Sequence, residues 1–148
     1  MRPLSNVQIN NFFRNNNMFG GCFSKDDVEI IDPSLPKFYI LNMDSDTGPG
    51  THWVLLSLVN PKVACYMDSF GAPPPQLVEM FMKRVRSQGI YNIVVIQSIK
   101  SENCGYYCLY CGSELSKGKS FTDLLDVFDI DEKKNEKFIT EWAKRNKL

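Results

Sequence analysis

Ser5-Asn6-Val7-Gln8 opens the chain with a capping-box pattern, and Ile9, Phe12 and Phe13 follow at helical spacing, predicting a short helix over about 5–14. The Asn15–Asn17 run, Gly20-Gly21 and the Pro33–Pro36 region read as a long irregular segment, with Cys22 in a loop and the glycine pair as a tight turn. Phe38 to Met43 is an apolar, aromatic run of strand type, and 44–50 is a loop by composition. His52 to Val59 is apolar on both alternating faces, which marks a central strand covered on both sides. Val63 to Asp68 is its hairpin partner across Asn60-Pro61-Lys62.

Beyond the hairpin, Pro73 to Pro75 introduce a helix with Leu77, Met80, Phe81 and Arg84 on one stripe, closing near Gly89. Ile93 to Ile96 reads as a short buried strand. Cys104 to Ser116 reads as a buried helix stopped by Gly118, and Asp131 to Lys147 as an amphipathic helix carrying Phe138, Ile139 and Trp142. These elements predict an α+β fold, helices packed on a small, mostly antiparallel sheet, in a single domain spanning 1–148.

The hairpin makes a sharper prediction. Facing residues of an antiparallel pair share a side of the sheet, so a three-residue turn at 60–62 sets Val59 opposite Val63 and Val54 opposite Asp68. His52 then lies diagonal to Asp68, with Cβ atoms roughly 7–8 Å apart, within reach of an imidazole–carboxylate hydrogen bond. A turn longer or shorter by one residue places them on opposite faces.

Composition narrows the partners. The 148 residues carry 17 basic and 17 acidic side chains, so bulk charge gives no reason to expect strong nucleic-acid or acidic-membrane binding. No stretch approaches the ~18 apolar residues of a membrane helix, and the N-terminus lacks a secretory pattern, which points to an intracellular protein. Five cysteines, three of them between 104 and 111, suit reduced thiols better than a disulfide framework.

His52 is the single histidine in the chain. Cys104 precedes Gly105 at the start of a buried helix, where unpaired N–H groups and the macrodipole favour an anion. Together with Asp68 they satisfy the logic of an activated nucleophile: Cys104 attacks, His52 moves the proton, Asp68 fixes the imidazole. Gln97, seven residues before Cys104, supplies an amide for an oxyanion hole alongside the Cys104 N–H.

His52-Trp53, Tyr66-Met67-Asp68-Ser69-Phe70-Gly71, Gln97 and Asn103-Cys104-Gly105, in that order over about residues 4–115, resemble the adenovirus-type maturation protease and its relatives, the ubiquitin-like-protein proteases. The resemblance implies the papain-like fold of that superfamily, with catalytic Cys104, His52 and Asp68, Gln97 in the oxyanion hole, Trp53 and Gly105 lining a narrow substrate groove, and no cofactor or metal. The step from Gln97 to Cys104 and the short N-terminal helix are similar to the viral capsid-maturation branch, including virophage and Polinton-like relatives. Asp68 stands where the adenovirus enzyme has Glu, and its context is closer to the SUMO-specific proteases.

What the resemblance implies for function is cleavage of viral structural precursors after small residues, at Gly-Gly or Gly-x-Gly sites, by a monomer acting in infected cells and packaged in the virion. The adenovirus enzyme is activated by DNA and by a disulfide-tethered peptide, yet residues 86–96 hold no cysteine for such a tether and the net charge is zero. Removal of ubiquitin-like tags is the alternative activity, and acetyl transfer through the same triad a weaker one.

Blander assignments compete with each residue. His52 alone reads as a satisfied core histidine, and Asp68 before Gly71 as a turn residue. Cys104, Cys108 and Cys111 spell the C-x3-C-x2-C of a radical-enzyme cluster, or a zinc site completed by His52. The chain is too short for the barrel that carries such a cluster, so Cys108 and Cys111 are expected in the core, as is Cys65. Asp44 and Asp46 lack the later ligands of a calcium loop and are expected to form turns.

Overall fold

The structure is a computed structural model that describes residues 1–44 and 52–148. Apart from Asp44, the loop expected at 44–50, including Asp46, lies outside the described residues. A five-stranded sheet runs in the order β1 (Phe19–Ser24), β2 (Phe38–Asn42), β3 (Trp53–Ser57), β4 (Val63–Met67), β5 (Gln88–Tyr91). The three central strands are antiparallel, while β1 joins β2 and β5 joins β4 in parallel.

Pairing of β3 with β4 sets Leu55 opposite Met67, Leu56 opposite Tyr66 and Ser57 opposite Cys65, which is the register expected from the 60–62 turn. Asn60 holds that turn, its Oδ1 accepting from the Lys62 and Val63 N–H groups at 2.8 and 3.2 Å. All five residues of β3 are buried, because both faces of the sheet are covered.

On one face, Phe38, Ile40, Trp53, Leu55, Cys65 and Met67 pack with α3 (Cys104–Ser116) and with side chains of α1 (Asn6–Phe12), α4 (Phe121–Leu125) and α5 (Glu132–Arg145). On the other, Tyr39, Leu41, Val54, Leu56, Ala64 and Tyr66 meet α2 (Gln76–Val85) and a 3-10 turn at Lys25–Ile30. Helix α1 opens with the capping box formed by Ser5 and Gln8.

Helix α3 is encased: eleven of its thirteen residues are buried. A helix apolar all round belongs inside a core. Gly118, with φ +93°, follows its end in the left-handed conformation that glycine reaches without strain.

Several expectations are corrected. The segment 15–36 is not irregular throughout: it contains β1 and the 3-10 turn, and Cys22 sits half-buried in β1. The ladder slips between Phe19 and Cys22. Gly21 there has φ +120°, and the Tyr39 ring fills the place a Cβ of Gly20 would take, so the glycine pair is a bulge within a strand rather than a turn between elements. Helix α2 buries Val78, Phe81 and Met82 and ends at Val85, leaving Met80 exposed. Gly89 belongs to β5, not to a helix end. Ile93 to Ile96 is not a strand. Ile93, Val94 and Val95 face solvent and only Ile96 is buried, because Ser69, rather than a neighbouring strand, binds the N–H groups of Ile96 and Gln97.

Candidate active site

His52 and Asp68 each lie one residue beyond a strand, at the same end of the β3–β4 ladder. The register delivers them to each other: Nε2 of His52 meets Oδ1 of Asp68 at 2.8 Å. The same Oδ1 accepts the Phe70 N–H at 2.8 Å, and the Phe70 ring stacks on the imidazole with centroids 4.9 Å apart. A turn residue and an orienting residue are therefore one side chain, since the Asx turn that bends the chain after β4 also fixes the carboxylate.

Asn92 anchors Asp68 from behind. Its Oδ1 accepts the Asp68 N–H at 3.0 Å while its Nδ2 donates to the Asp68 carbonyl at 2.7 Å. Further out, Asn135 of α5 donates to the carbonyls of Ile96 and Asp129 and accepts the Asp129 N–H, so the 92–97 loop is fastened to the last helix.

Cys104 occupies the first position of α3 and remains 5% exposed. The N-cap residue, Asn103, makes no side-chain bond to the first turn. Its amide instead reaches Glu136 Oε2 at 3.4 Å, which also accepts the Tyr107 hydroxyl at 2.7 Å. With no side chain capping it, the positive end of the helix dipole is left to act on the sulfur.

Cys104 lies near enough to His52 to favour its protonated form alongside Asp68. Burial alone pushes the imidazole toward the neutral form, but the Asp68 hydrogen bond and the charges of Asp68 and Cys104 outweigh it and raise its pKa to about 9. At neutral pH the ring is a cation between an oxygen and a sulfur.

The remaining thiols differ. Burial pushes Cys22 and Cys65 up to about 12, and drives Cys108 and Cys111, which have no exposed surface, upward as well. Cys65, Cys108 and Cys111 are core side chains and Cys22 packs half-buried against that core, and among the described residues no three of His, Cys, Asp and Glu are grouped to hold a metal ion.

Gln97 is wholly buried. Its Nε2 donates to the Ser101 carbonyl at 2.8 Å, and its Oε1 accepts the Ser69 hydroxyl at 2.5 Å. Trp53 is 5% exposed, its indole N–H donating to the Leu4 carbonyl at 2.9 Å. Gly105 is where the Leu4 side chain comes to rest: a Cβ there would stand 3.1 Å from two Leu4 carbons. Trp53 and Gly105 thus hold the segment before α1 against the leading turn of α3, aided by the Tyr106 hydroxyl on the Arg2 carbonyl at 2.8 Å.

Neither a protein-family model nor a curated protein matches the sequence. Solved structures do. The fold is similar to that of ASFV pS273R protease. One crystal structure of it superposes with a TM-score of 0.63 at 21% identity, covering 93% of this chain and 66% of that one. The selenomethionine form of ASFV pS273R protease gives a TM-score of 0.51 at 25% identity, covering 70% of this chain and 43% of that one. The chain thus spans between 43% and 66% of the length of the pS273R chains it matches. The α+β fold of the ubiquitin-like-protease type, expected from the sequence, is the fold found.

Sequence reasoning passed over Asn92, Asn135 and Leu4, and quoted Ser69 and Phe70 in the motif around Asp68 without giving either a role. Asn135 carried a signal: it shares the α5 stripe of Ile139 and Trp142, and a polar residue on a core stripe needs partners. Asn92, between Ile90-Tyr91 and Ile93-Val94, carried a fainter one.

Proposed function

We propose that the chain is a viral cysteine endopeptidase in which Cys104 is the nucleophile, His52 the proton carrier, Asp68 its orienting partner and Gln97 an oxyanion donor. The observation that carries this reading is the imidazole hydrogen-bonded to Asp68 at 2.8 Å, with the Cys104 side chain near enough to join Asp68 in raising its pKa to about 9. The pS273R likeness supports the fold on which such a site is built.

The chemistry follows from these positions. The Cys104 thiolate attacks the scissile carbonyl carbon, and the carbonyl electrons move onto oxygen, where the Gln97 amide and the N-terminus of α3 oppose the charge. The oxyanion collapses, the C–N bond breaks, and imidazolium gives its proton to the departing amine, leaving a thioester on Cys104. Water then attacks the thioester, now-neutral His52 takes its proton, and the acid departs as thiolate and imidazolium are restored. Asp68 stays ionised throughout and holds the ring in place.

The substrates on this reading are viral structural precursors cut after small residues at Gly-Gly or Gly-x-Gly sites, by a monomeric enzyme in the infected cell and the virion. The sequence order His52, Asp68, Gln97, Cys104 with a seven-residue final step supports the adenovirus-type branch. Asp68 in place of Glu favours a second reading, removal of ubiquitin-like modifiers.

Purified protein incubated with glycine-rich precursor peptides and with a fluorogenic SUMO or ubiquitin conjugate separates the two, the first reading requiring faster turnover of the peptides. Cys104→Ala is expected to abolish both activities, and retained turnover in that variant overturns the protease assignment.

A further inference from the structure

The carboxamide of Gln97 is held at both ends. Nε2 donates to the Ser101 carbonyl at 2.8 Å and, less closely, to the Ser101 hydroxyl oxygen at 3.3 Å. A carbonyl oxygen can only accept, so the nitrogen of Gln97 must face it and Oε1 must face the other way. There Oε1 meets Ser69 Oγ at 2.5 Å, and the hydroxyl has to be the donor.

Without such partners the terminal torsion of a glutamine is broad and two-fold, and half of its orientations would present a carbonyl oxygen, rather than an N–H, to a developing oxyanion. The Ser101 hydroxyl oxygen near Nε2 of Gln97 also accepts the Asn103 N–H at 3.1 Å. One oxygen therefore lies between the Gln97 amide and the backbone just ahead of Cys104, and its contact with Gln97 is the longest in the network.

We propose that Ser69 is a positioning residue for catalysis, its hydroxyl locking the Gln97 amide so that one N–H stays on the Ser101 carbonyl and the other is presented to the carbonyl oxygen of the substrate. The proposal rests on Gln97 being an oxyanion donor. Ser69 is suited to a single task because its backbone is secured independently: its carbonyl accepts the N–H groups of both Ile96 and Gln97 at 2.9 Å. Ser69→Ala thus removes the lock and keeps the main-chain clamp. With the neighbouring Asp68 oriented by Asn92 and Phe70, the base and the nucleophile are untouched.

The test combines turnover with alkylation. In Ser69→Ala, kcat on the cleaved peptide is expected to fall roughly 10- to 100-fold with KM within about twofold, a loss confined to the transition state. Iodoacetamide alkylation of Cys104 is expected to keep its wild-type rate, because displacement of iodide develops no oxyanion. Gln97→Ala is expected to lose on the order of 100-fold or more in kcat, and adding Ser69→Ala to it to cost nothing further.

Additive losses in the double variant, slowed alkylation in Ser69→Ala, or wild-type kcat in Ser69→Ala while Gln97→Ala is impaired would each overturn the Ser69 proposal alone. Unimpaired kcat in Gln97→Ala would remove the oxyanion reading and the Ser69 proposal with it.

Discussion

At the scale of single residues, the decisive group is His52, which has an ordinary pKa of 6.5 and is raised to about 9 in the folded chain. A raised cation favours the folded state fully below pH 6.5, and that contribution, on the order of 3 kcal/mol, fades as pH climbs through 9. The proposed mechanism gives activity the same alkaline boundary, because leaving-group protonation needs the imidazolium. The expected pH profile of kcat/KM therefore falls on an alkaline limb near 9. Asp68→Asn keeps the shape of the side chain and removes its charge, so the limb should move toward lower pH and the rate drop by roughly 100-fold or more. A limb unmoved in that variant would mean that Asp68 does not set the charge state of the ring.

Among secondary-structure elements, α3 shows packing overruling propensity. Alanine in place of a helical glycine ordinarily stabilises by about 1 kcal/mol. At Gly112 an added Cβ would lie 2.6 Å from a Phe38 ring carbon and 2.8 Å from one of Phe13. Overpacking of this kind costs about 1–3 kcal/mol, so Gly112→Ala is expected to lower the urea midpoint rather than raise it.

The same contrast explains what the sequence could and could not reveal. The β3–β4 hairpin was legible because a proline turn and two apolar runs fix pairing locally, and with it the meeting of His52 and Asp68. The limits of α3 were legible because a continuous apolar run ended at glycine. Strand β1 was not, since Gly20-Gly21 erases the alternation and the strand exists through its parallel partner β2 and the Tyr39 ring. Nor was the exposed 93–95 stretch, whose apolar residues follow a backbone that Ser69 binds. At the candidate site, His52 and Asp68 were expected from the hairpin register to meet, and they do, whereas the network of Ser69, Asn92 and Asn135 depends on distant segments meeting.

Across the whole molecule, the proposed catalytic residues His52, Asp68 and Cys104 sit at the end of the sheet and on α3, while the loop that bears Gln97 is fixed from α5, through Asn135. Asn135→Ala removes the amide that satisfies two carbonyls and one N–H, at a cost of roughly 2–3 kcal/mol for polar groups left buried without partners. The expected outcome is faster hydrogen exchange at Ile96 and Gln97 and a lower kcat, although no atom of Asn135 belongs to the proposed triad. Unchanged exchange there would show that α5 is packed on the loop without holding it.

The enclosure of α3 has a further bearing on how the proposed enzyme would age. A nucleophile carried on a surface loop is lost by fraying long before its host melts. Here the sulfur heads a rod walled in by strands on one side and helices on the other, so it cannot drift out of line unless that wall comes apart. Heat or denaturant should then leave molecules either fully competent or wholly undone, with few that keep their shape and have lost their chemistry.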